Sequence, residues 1–177
     1  ISTVPALVAG LLGHRLIKAY LFTPFTVAVG LGVGAVWLLV TEFYLSKGIR
    51  RGLEAMTWRD ALGVGLFQCL ALWPGMSRSA STILGGMMIG LDRKAATEYS
   101  FFAAVPVMIA ACLYELSCST VALDRSHIVF FLLGFFVSFV SALLAIRFFI
   151  RFLSRHTLIP FGWYRLILAG IVFWVLA

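Results

Sequence analysis

The chain has 177 residues, of which 62% are hydrophobic and 12% are charged. Soluble domains carry about a quarter charged residues, so this composition excludes a soluble globular protein and predicts an integral membrane protein. The formal net charge is +7, but the basic residues lie between apolar stretches and form no aromatic–basic RNA-binding pattern, so we expect no nucleic-acid partner. The length suits a single membrane domain of about six apolar segments.

The chain begins with an apolar stretch, Val4 to Gly13, that is too short to span a bilayer. Ile1 stands first, and no charged signal-peptide segment precedes the stretch. We therefore interpret residues 1–13 as the end of a membrane helix. We expect residues 1–177 to form one integral membrane domain that is incomplete at its N-terminus.

The next apolar stretch runs from Phe25 to about Leu45 and is long enough to span. Gly30 and Gly34 lie within it on one helix face. A nucleotide-binding loop needs a different glycine spacing after a strand, so we interpret these glycines as a face for close packing.

A polar stretch, Ser46 to Asp60, separates this span from two shorter apolar stretches. Ala61 to Trp73 and Ile83 to Leu91 are each too short to cross a hydrocarbon core about 30 Å thick. Because a Pro-Gly break lies between them, we predict a re-entrant helix hairpin over about 61–91 that enters and leaves on the same side. Re-entry also keeps most Lys and Arg residues on the cytoplasmic side, as the positive-inside rule requires.

The remaining apolar stretches predict spans from Tyr99 to about Cys118, Ile128 to Phe149 and Phe161 to Ala177. The predicted fold class is an all-α polytopic membrane helix bundle with a re-entrant helix hairpin. Arg165 lies close enough to the start of the last span for its side chain to snorkel to the interface.

A row of basic residues ends the second of these spans: Arg147, Arg151 and Arg155 recur every four residues. A basic helix face at the cytoplasmic interface is the favoured interpretation, and a row that grips a ligand phosphate is the alternative.

A polar island, Pro74 to Thr82, separates the two hairpin arms. Arg78 within it costs roughly 2.5–3.5 kcal/mol at membrane depth, so we expect the charge to be used. A helix that begins just after Gly75 presents free backbone N–H groups and its positive dipole end, and Arg78 can bind two phosphate oxygens. Hydroxyl donors surround the arginine: Ser77, Ser79, Ser81 and Thr82. These groups predict a cradle for a phosphate or diphosphate on a lipid-borne substrate.

Structural alternatives exist for these residues. Arg78 can pair with a buried acid such as Glu98, Glu42 or Glu115 while the hydroxyls cap the helix. Gln68, in the first hairpin arm, either reaches the ligand or hydrogen-bonds to the hairpin backbone. Neither the histidines nor the cysteines show metal-ligand spacing, so we predict no metal ligands in this chain.

The stretch Phe67-Gln68-Cys69-Leu70-Ala71-Leu72-Trp73-Pro74-Gly75-Met76-Ser77-Arg78-Ser79 closely resembles the second signature of the bacterial undecaprenyl-diphosphate phosphatases of the bacitracin-resistance type, P-G-x-S-R-S-G-x-T. Further short stretches also resemble that family: Gly85-Gly86-Met87, Ala104-Val105-Pro106, Ile159-Pro160-Phe161 and Tyr164-Arg165. The resemblance implies a fold of two inverted repeats, each with a re-entrant hairpin, of which this chain would carry the second.

The activity that the resemblance implies is hydrolysis of undecaprenyl diphosphate to undecaprenyl phosphate and inorganic phosphate in the bacterial inner membrane. This reaction recycles the lipid carrier of cell-wall synthesis and, on overproduction, confers bacitracin resistance. The partners would be the lipid-linked diphosphate and membrane lipids, and the implied cofactor is a divalent cation, Mg²⁺ or Ca²⁺. The sequence leaves a homodimer open.

By the same resemblance, Arg78 binds the diphosphate, and Ser77, Ser79 and Thr82 line the site. We therefore predict Arg78, Ser77 and Ser79 as catalytic residues, and Thr82 and Gln68 as substrate-binding residues. Gly75 is also a predicted substrate-binding residue, because a glycine lets the backbone approach a ligand closely.

The chain departs from the family in two respects. Ala80 stands where the family pattern usually has glycine, and the first family signature, with two glutamates, paired serines and a histidine, is absent. We therefore expect the general base and the nucleophile to lie outside residues 1–177. The rival functions are a prenyl-phosphate transporter or flippase and a non-catalytic prenyl-diphosphate-binding paralogue.

Overall fold

The computed structural model describes residues 1–45, 51–118 and 125–176, and in these ranges it is built from helices. Seven α-helices follow one another: α1 (Thr3–Leu16), α2 (Pro24–Leu45), α3 (Trp58–Cys69), α4 (Arg78–Ile89), α5 (Arg93–Cys118), α6 (Arg125–Leu153) and α7 (Ile159–Leu176). A short π-helical segment, Ile17–Leu21, follows α1. Four helices, α2, α5, α6 and α7, are long and apolar enough to cross a membrane. The chain is thus the all-α polytopic membrane protein that its sequence predicts.

The central feature is a hairpin of two short antiparallel helices, α3 and α4, joined by a 3₁₀ turn (Leu70–Leu72) and a loop over 73–77. Glycines let the two arms approach closely. A Cβ atom at Gly85 would lie 2.5 Å from Cβ of Phe67, and one at Gly63 would lie 2.7 Å from the end of Ile89. Neither arm is long enough to span, and the loop between them packs against the α2 backbone.

Arg51 joins the two ends of the hairpin. Its guanidinium donates to both carboxylate oxygens of Asp60, at the start of α3, over 3.2 and 3.0 Å, and to the carbonyl of Ile89, at the end of α4, over 3.1 Å. Its backbone accepts from Asp92 N–H and donates to the Gly90 carbonyl, both over 2.9 Å. The chain therefore leaves the hairpin on the side where it entered.

Local sequence signals determine where the hairpin helices begin and end. Thr57 and Asp60 form a reciprocal capping box at the start of α3. Gly90 ends α4 in the left-handed conformation with φ 104°, which glycine adopts without strain. Asp92 then accepts from the Ala95 N–H over 2.6 Å and caps α5, which is why α5 begins at Arg93 rather than near Tyr99.

The close-packing face predicted on α2 contacts the hairpin loop as well as a helix. A Cβ atom at Gly30 would collide with the Pro74 carbonyl oxygen, and one at Gly34 would lie 3.3 Å from the Met76 carbonyl oxygen and 2.5 Å from the Arg165 guanidinium of α7. The α2 glycines thus let both the loop and α7 approach the α2 backbone.

Helix α6 stands apart from the core except at its last turns, where Leu153 is buried in the core and Phe149 and Phe152 pack against it. None of residues 128–152 is buried, and Arg147, Arg151 and Arg155 near the end of the helix are all exposed. This exposure favours the basic-face interpretation of the arginine row over a row that grips a ligand. The helix begins at Arg125, so 125–127 belong to it, whereas 119–124 of the predicted loop lie outside the described residues.

Candidate functional site

The loop at the tip of the hairpin has a constrained backbone. Gly75 has φ 95° and Ser77 has φ 66°, and Ser77 is the one non-glycine residue with positive φ in the described ranges. A side chain in this region of φ and ψ is strained, and such strain concentrates at functional sites. Trp73 anchors the loop, since its indole N–H donates to the carbonyl of Thr26 on α2 over 3.0 Å. The Met76 N–H donates back to the Trp73 carbonyl over 3.1 Å.

Helix α4 begins at Arg78, as the phosphate-cradle hypothesis requires. Ser77 is its N-cap: the hydroxyl accepts from the Ala80 N–H over 3.4 Å. The N–H groups of Arg78 and Ser79 belong to the first turn, where no intrahelical carbonyl is available. The hydroxyls of Ser77 and Ser79 are exposed and lie 3.3 Å apart. The helix start therefore presents two hydroxyls, first-turn N–H groups and the positive end of the helix dipole in one place.

Arg78 is half-buried, and one terminal guanidinium nitrogen is buried with no hydrogen-bond partner in the described part of the chain. Two of the acids considered as its partners are engaged elsewhere. Glu42 pairs with Arg93, and Glu98 lies 3.8 Å from the lysine one turn earlier on α5. The side chain of the third, Glu115, lies outside the described residues. The charge of Arg78 is therefore not neutralised by either of the two described acids.

Thr82 and Gln68, unlike the two serines, are buried. Thr82 is fully buried, and its hydroxyl contacts the carbonyls of Arg78 and Ser79 over 3.0 and 3.1 Å and the Ser100 hydroxyl over 2.6 Å. It thereby ties the first turn of α4 to α5. Gln68 is buried on α3, and its side-chain oxygen has no partner among the described residues, so the hairpin backbone does not engage that atom.

Arg165 lies against the hairpin loop, a position that sequence reasoning missed. It does not snorkel: it is 8% exposed, and one terminal nitrogen donates to the Gly75 carbonyl over 2.5 Å. Its Nε and other terminal nitrogen are buried and unpartnered within the described ranges. The sequence feature that indicated Arg78, an arginine within an apolar run, also applies to Arg165 and could have indicated it.

A small cavity of about 110 Å³ opens at the start of α4. Its polar wall is formed by Ser77, Ser79 and Arg165, and Ala80 lies beside them. The remaining wall is apolar and comes from α2, α4, α6 and the start of α7: Leu38, Ile83, Phe149, Leu158 and Phe161. The cavity therefore has a cationic, hydroxyl-rich wall within an apolar surround.

A larger apolar cavity of about 500 Å³ lies beside the same loop. It is lined by Leu21, Val33, Trp37, Phe67, Cys69, Leu70, Leu72, Trp73 and Met76. Met76 lines this cavity and the next residue, Ser77, lines the small one. A polar and an apolar binding surface thus meet within one loop.

Comparison with known proteins decides the family. The family described as Bacitracin resistance protein BacA matches residues 1–172. The chain belongs to the BacA family. It is 49% identical over 177 residues to an undecaprenyl-diphosphatase of Nitratidesulfovibrio vulgaris, covering 100% of this chain and 67% of the relative. It is also 50% identical over 174 residues to an undecaprenyl-diphosphatase of Desulfovibrio desulfuricans, covering 98% and 66%. A third such relative, undecaprenyl-diphosphatase 2 of Rhodospirillum rubrum, is 48% identical over 166 residues, covering 94% and 61%. The chain thus spans about two thirds of the length of the curated relatives that it matches.

The divalent cation implied by the BacA resemblance does not fit the groups seen here. The charged groups at the helix start are the guanidinium groups of Arg78 and Arg165, which repel a cation. In the described parts of the chain no three histidine, cysteine, aspartate or glutamate side chains cluster as metal ligands. A cation requirement stays a prediction.

Proposed function

We propose that this chain binds the diphosphate of undecaprenyl diphosphate at the start of α4, for hydrolysis to undecaprenyl phosphate and inorganic phosphate. Membership of the BacA family and 49% identity to a curated undecaprenyl-diphosphatase support this activity. The observation that carries the assignment of the site is Arg78, which has no acidic partner among the described residues and lies at the first turn of a helix whose cap and neighbouring hydroxyls face a cavity.

The chemistry of this site matches a diphosphate. First-turn N–H groups and the helix dipole attract phosphate oxygens, and Arg78 can bind two of them in a fork. Charge develops on the phosphate oxygens as the terminal P–O bond breaks, and positioned donors in a water-poor site stabilise that charge most strongly. Ser77 and Ser79 contribute hydroxyl donors from the same turn.

Hydrolysis also needs an activated nucleophile. No carboxylate or imidazole lines the small cavity in the described part of the chain. We infer that residues 1–177 stabilise charge, and that the base and the attacking group come from the glutamate-containing signature that this chain lacks. The attacking oxygen would displace undecaprenyl phosphate from the terminal phosphorus as inorganic phosphate forms.

The apolar cavity suits the lipid part of the substrate. Its walls are almost wholly hydrocarbon and aromatic, and it meets the polar site at residues 76–77. A prenyl chain that leaves the diphosphate along this cavity stays out of water, which is favourable at about 25 cal/mol per Å² of buried apolar surface. The four apolar helices make the chain a multi-pass membrane protein, and we propose the bacterial inner membrane as its location.

The test is release of inorganic phosphate from detergent-solubilised undecaprenyl diphosphate, run on residues 1–177 and on a chain extended upstream to the first family signature. We expect release only from the extended chain. Release by the short chain would place the nucleophile among Ser77, Ser79 and Ser81. Movement of undecaprenyl phosphate across vesicles by the extended chain without any phosphate release would instead identify a transporter.

A further inference from the structure

We propose that Arg165 is a second diphosphate-binding residue, so that two guanidinium groups from different helices hold the substrate's charged end. This inference rests on the proposed function and adds a residue from α7 to the site. It is carried by the geometry of Arg165, which sequence reasoning assigned to the membrane interface.

The first observation is that Arg165 is buried with unused donors. Only 8% of it is exposed, and the bond from one terminal nitrogen to the Gly75 carbonyl is the one hydrogen bond that its guanidinium makes with the described residues. Nε and the other terminal nitrogen have no partner there. A buried guanidinium with unpaired donors is costly, and an anionic ligand would satisfy both the donors and the charge.

The second observation is where these donors lie. Arg165 shares the wall of the small cavity with Ser77 and Ser79, the hydroxyl-bearing residues at the start of α4. No acid lines that cavity in the described ranges, so no side chain there competes for the guanidinium. A phosphate group in the cavity would contact the α4 start on one side and Arg165 on another.

The third observation is how the fold holds Arg165 in place. Gly162, one turn earlier, lets α7 pack closely on α2, where an added Cβ would lie 2.6 Å from the Leu39 side chain. Gly34 of α2 leaves the space that the guanidinium fills, since a Cβ there would lie 2.5 Å from its terminal nitrogen. The bond to Gly75 then orients the planar group, so that its remaining donors keep a defined direction.

A purely structural role, holding the Gly75 carbonyl, is the competing explanation, and the comparison of glutamine with lysine separates the two. Arg165→Gln removes the charge and, because its side chain is two bonds shorter, also the hydrogen bond to Gly75. Arg165→Lys keeps the charge but loses the planar fork. The readout is the inhibition constant of inorganic pyrophosphate, together with kcat and KM for undecaprenyl diphosphate, measured on the full-length protein.

We expect Arg165→Gln to weaken pyrophosphate inhibition by about tenfold to a hundredfold, because a hydrogen bond to a charged group is lost. Arg165→Lys should weaken it by less. Arg151→Met, which removes an exposed arginine of α6, is the matched control and should leave the constant unchanged. An inhibition constant for Arg165→Gln within about twofold of wild type would overturn the proposal.

Two further outcomes are informative. If the glutamine variant does not fold, the lysine variant provides the test. We expect Arg165→Lys to weaken pyrophosphate inhibition by at least about threefold, because a point charge cannot bind two oxygens in a fork. An unchanged inhibition constant would refute the proposal that Arg165 binds the diphosphate. If the wild-type full-length protein releases no phosphate at all, the proposed function fails. If the wild-type protein hydrolyses the lipid and substitution of Arg78 lowers the rate, but Arg165→Gln leaves the pyrophosphate inhibition constant unchanged, only the inference about Arg165 is rejected.

Discussion

Gly30 of α2 lies so close to the carbonyl oxygen of Pro74 that a methyl group on Gly30 would overlap with it. This contact places the hairpin loop against the α2 backbone and supports the unusual φ of Gly75 in the next position, where a Cβ would in turn collide with the Val27 carbonyl. The conformation of the candidate site is thus determined by two backbones in contact.

Gly30→Ala should therefore displace the loop and lower phosphate release by at least about tenfold, with a loss of stability of about 1–3 kcal/mol from overpacking. Gly170→Ala is the matched control, because nothing lies within 4 Å of a Cβ at Gly170. Thermal unfolding in detergent and the phosphate-release rate are measured for both. Equal behaviour of the two variants would show that the loop does not depend on the contact.

Arg78→Met should lower phosphate release by more than about a hundredfold, because a main charge clamp on the reacting phosphate is lost. Arg78→Lys should retain part of the rate, since the charge remains but the fork does not. Arg151→Met, on the exposed face of α6, should retain the wild-type rate. The hypothesis that Arg78 binds substrate is wrong if Arg78→Met hydrolyses the lipid at a near wild-type rate.

Ser77 allows strain and chemistry to be separated. Ser77→Gly removes the penalty of a side chain at φ 66°, so we expect this variant to be at least as stable as wild type although it loses the cap. Ser77→Ala keeps the strain and loses the cap, so its folding stability should fall by about 1 kcal/mol. Both variants lack the hydroxyl and should release phosphate about tenfold to a hundredfold more slowly. Thermal melts paired with rate measurements test this, and full activity in Ser77→Gly would remove the hydroxyl from the site.

The Arg51–Asp60 pair predicts a pH dependence of stability. Hydrogen bonds from the Arg51 side chain, and next from the Thr57 backbone, lower the pKa of Asp60 from 3.8 to about 2, against the opposing effect of burial. Because this pKa is lower in the folded state, the stabilisation is complete above about pH 4 and is lost as the pH falls through 2.

Asp60→Asn should therefore lower stability at neutral pH by about 1 kcal/mol, a modest value because Arg51 is 41% exposed. Melting temperatures of wild type and variant in detergent should converge as the pH falls from 5 toward 2. Curves that stay parallel over that range would show that the carboxylate charge does not contribute. Glu54→Gln, at an exposed acid without a described ion pair, is the control.

Most of the local structure follows from short-range signals. The hairpin is predictable because its two arms are too short to span and a Pro-Gly break separates them, and the start of α4 follows from the serine that caps it. The phosphate-cradle residues are predictable for the same reason, since Gly75, Ser77, Arg78 and Ser79 are neighbours in one turn.

Contacts between distant segments were not predictable. The sequence suggests that Arg165 reaches the interface, because spacing alone does not tell which face of α7 meets α2. In the fold, the glycines of α2 and α7 bring Arg165 to the Gly75 carbonyl. Nor does spacing indicate that Arg51 joins both ends of the hairpin.

Composition and the length of the apolar runs, by themselves, determined that this protein is a helical membrane protein, because a bilayer requires long apolar helices. They also determined that a charged turn joins two half-length helices and has a use, because a charge at membrane depth is costly. The tertiary structure decided which groups share the site. A guanidinium from α7, hydroxyls from the start of α4 and an apolar cavity beside the same loop are brought together only by helix packing, which depends on close backbone contacts at glycines far apart in the chain.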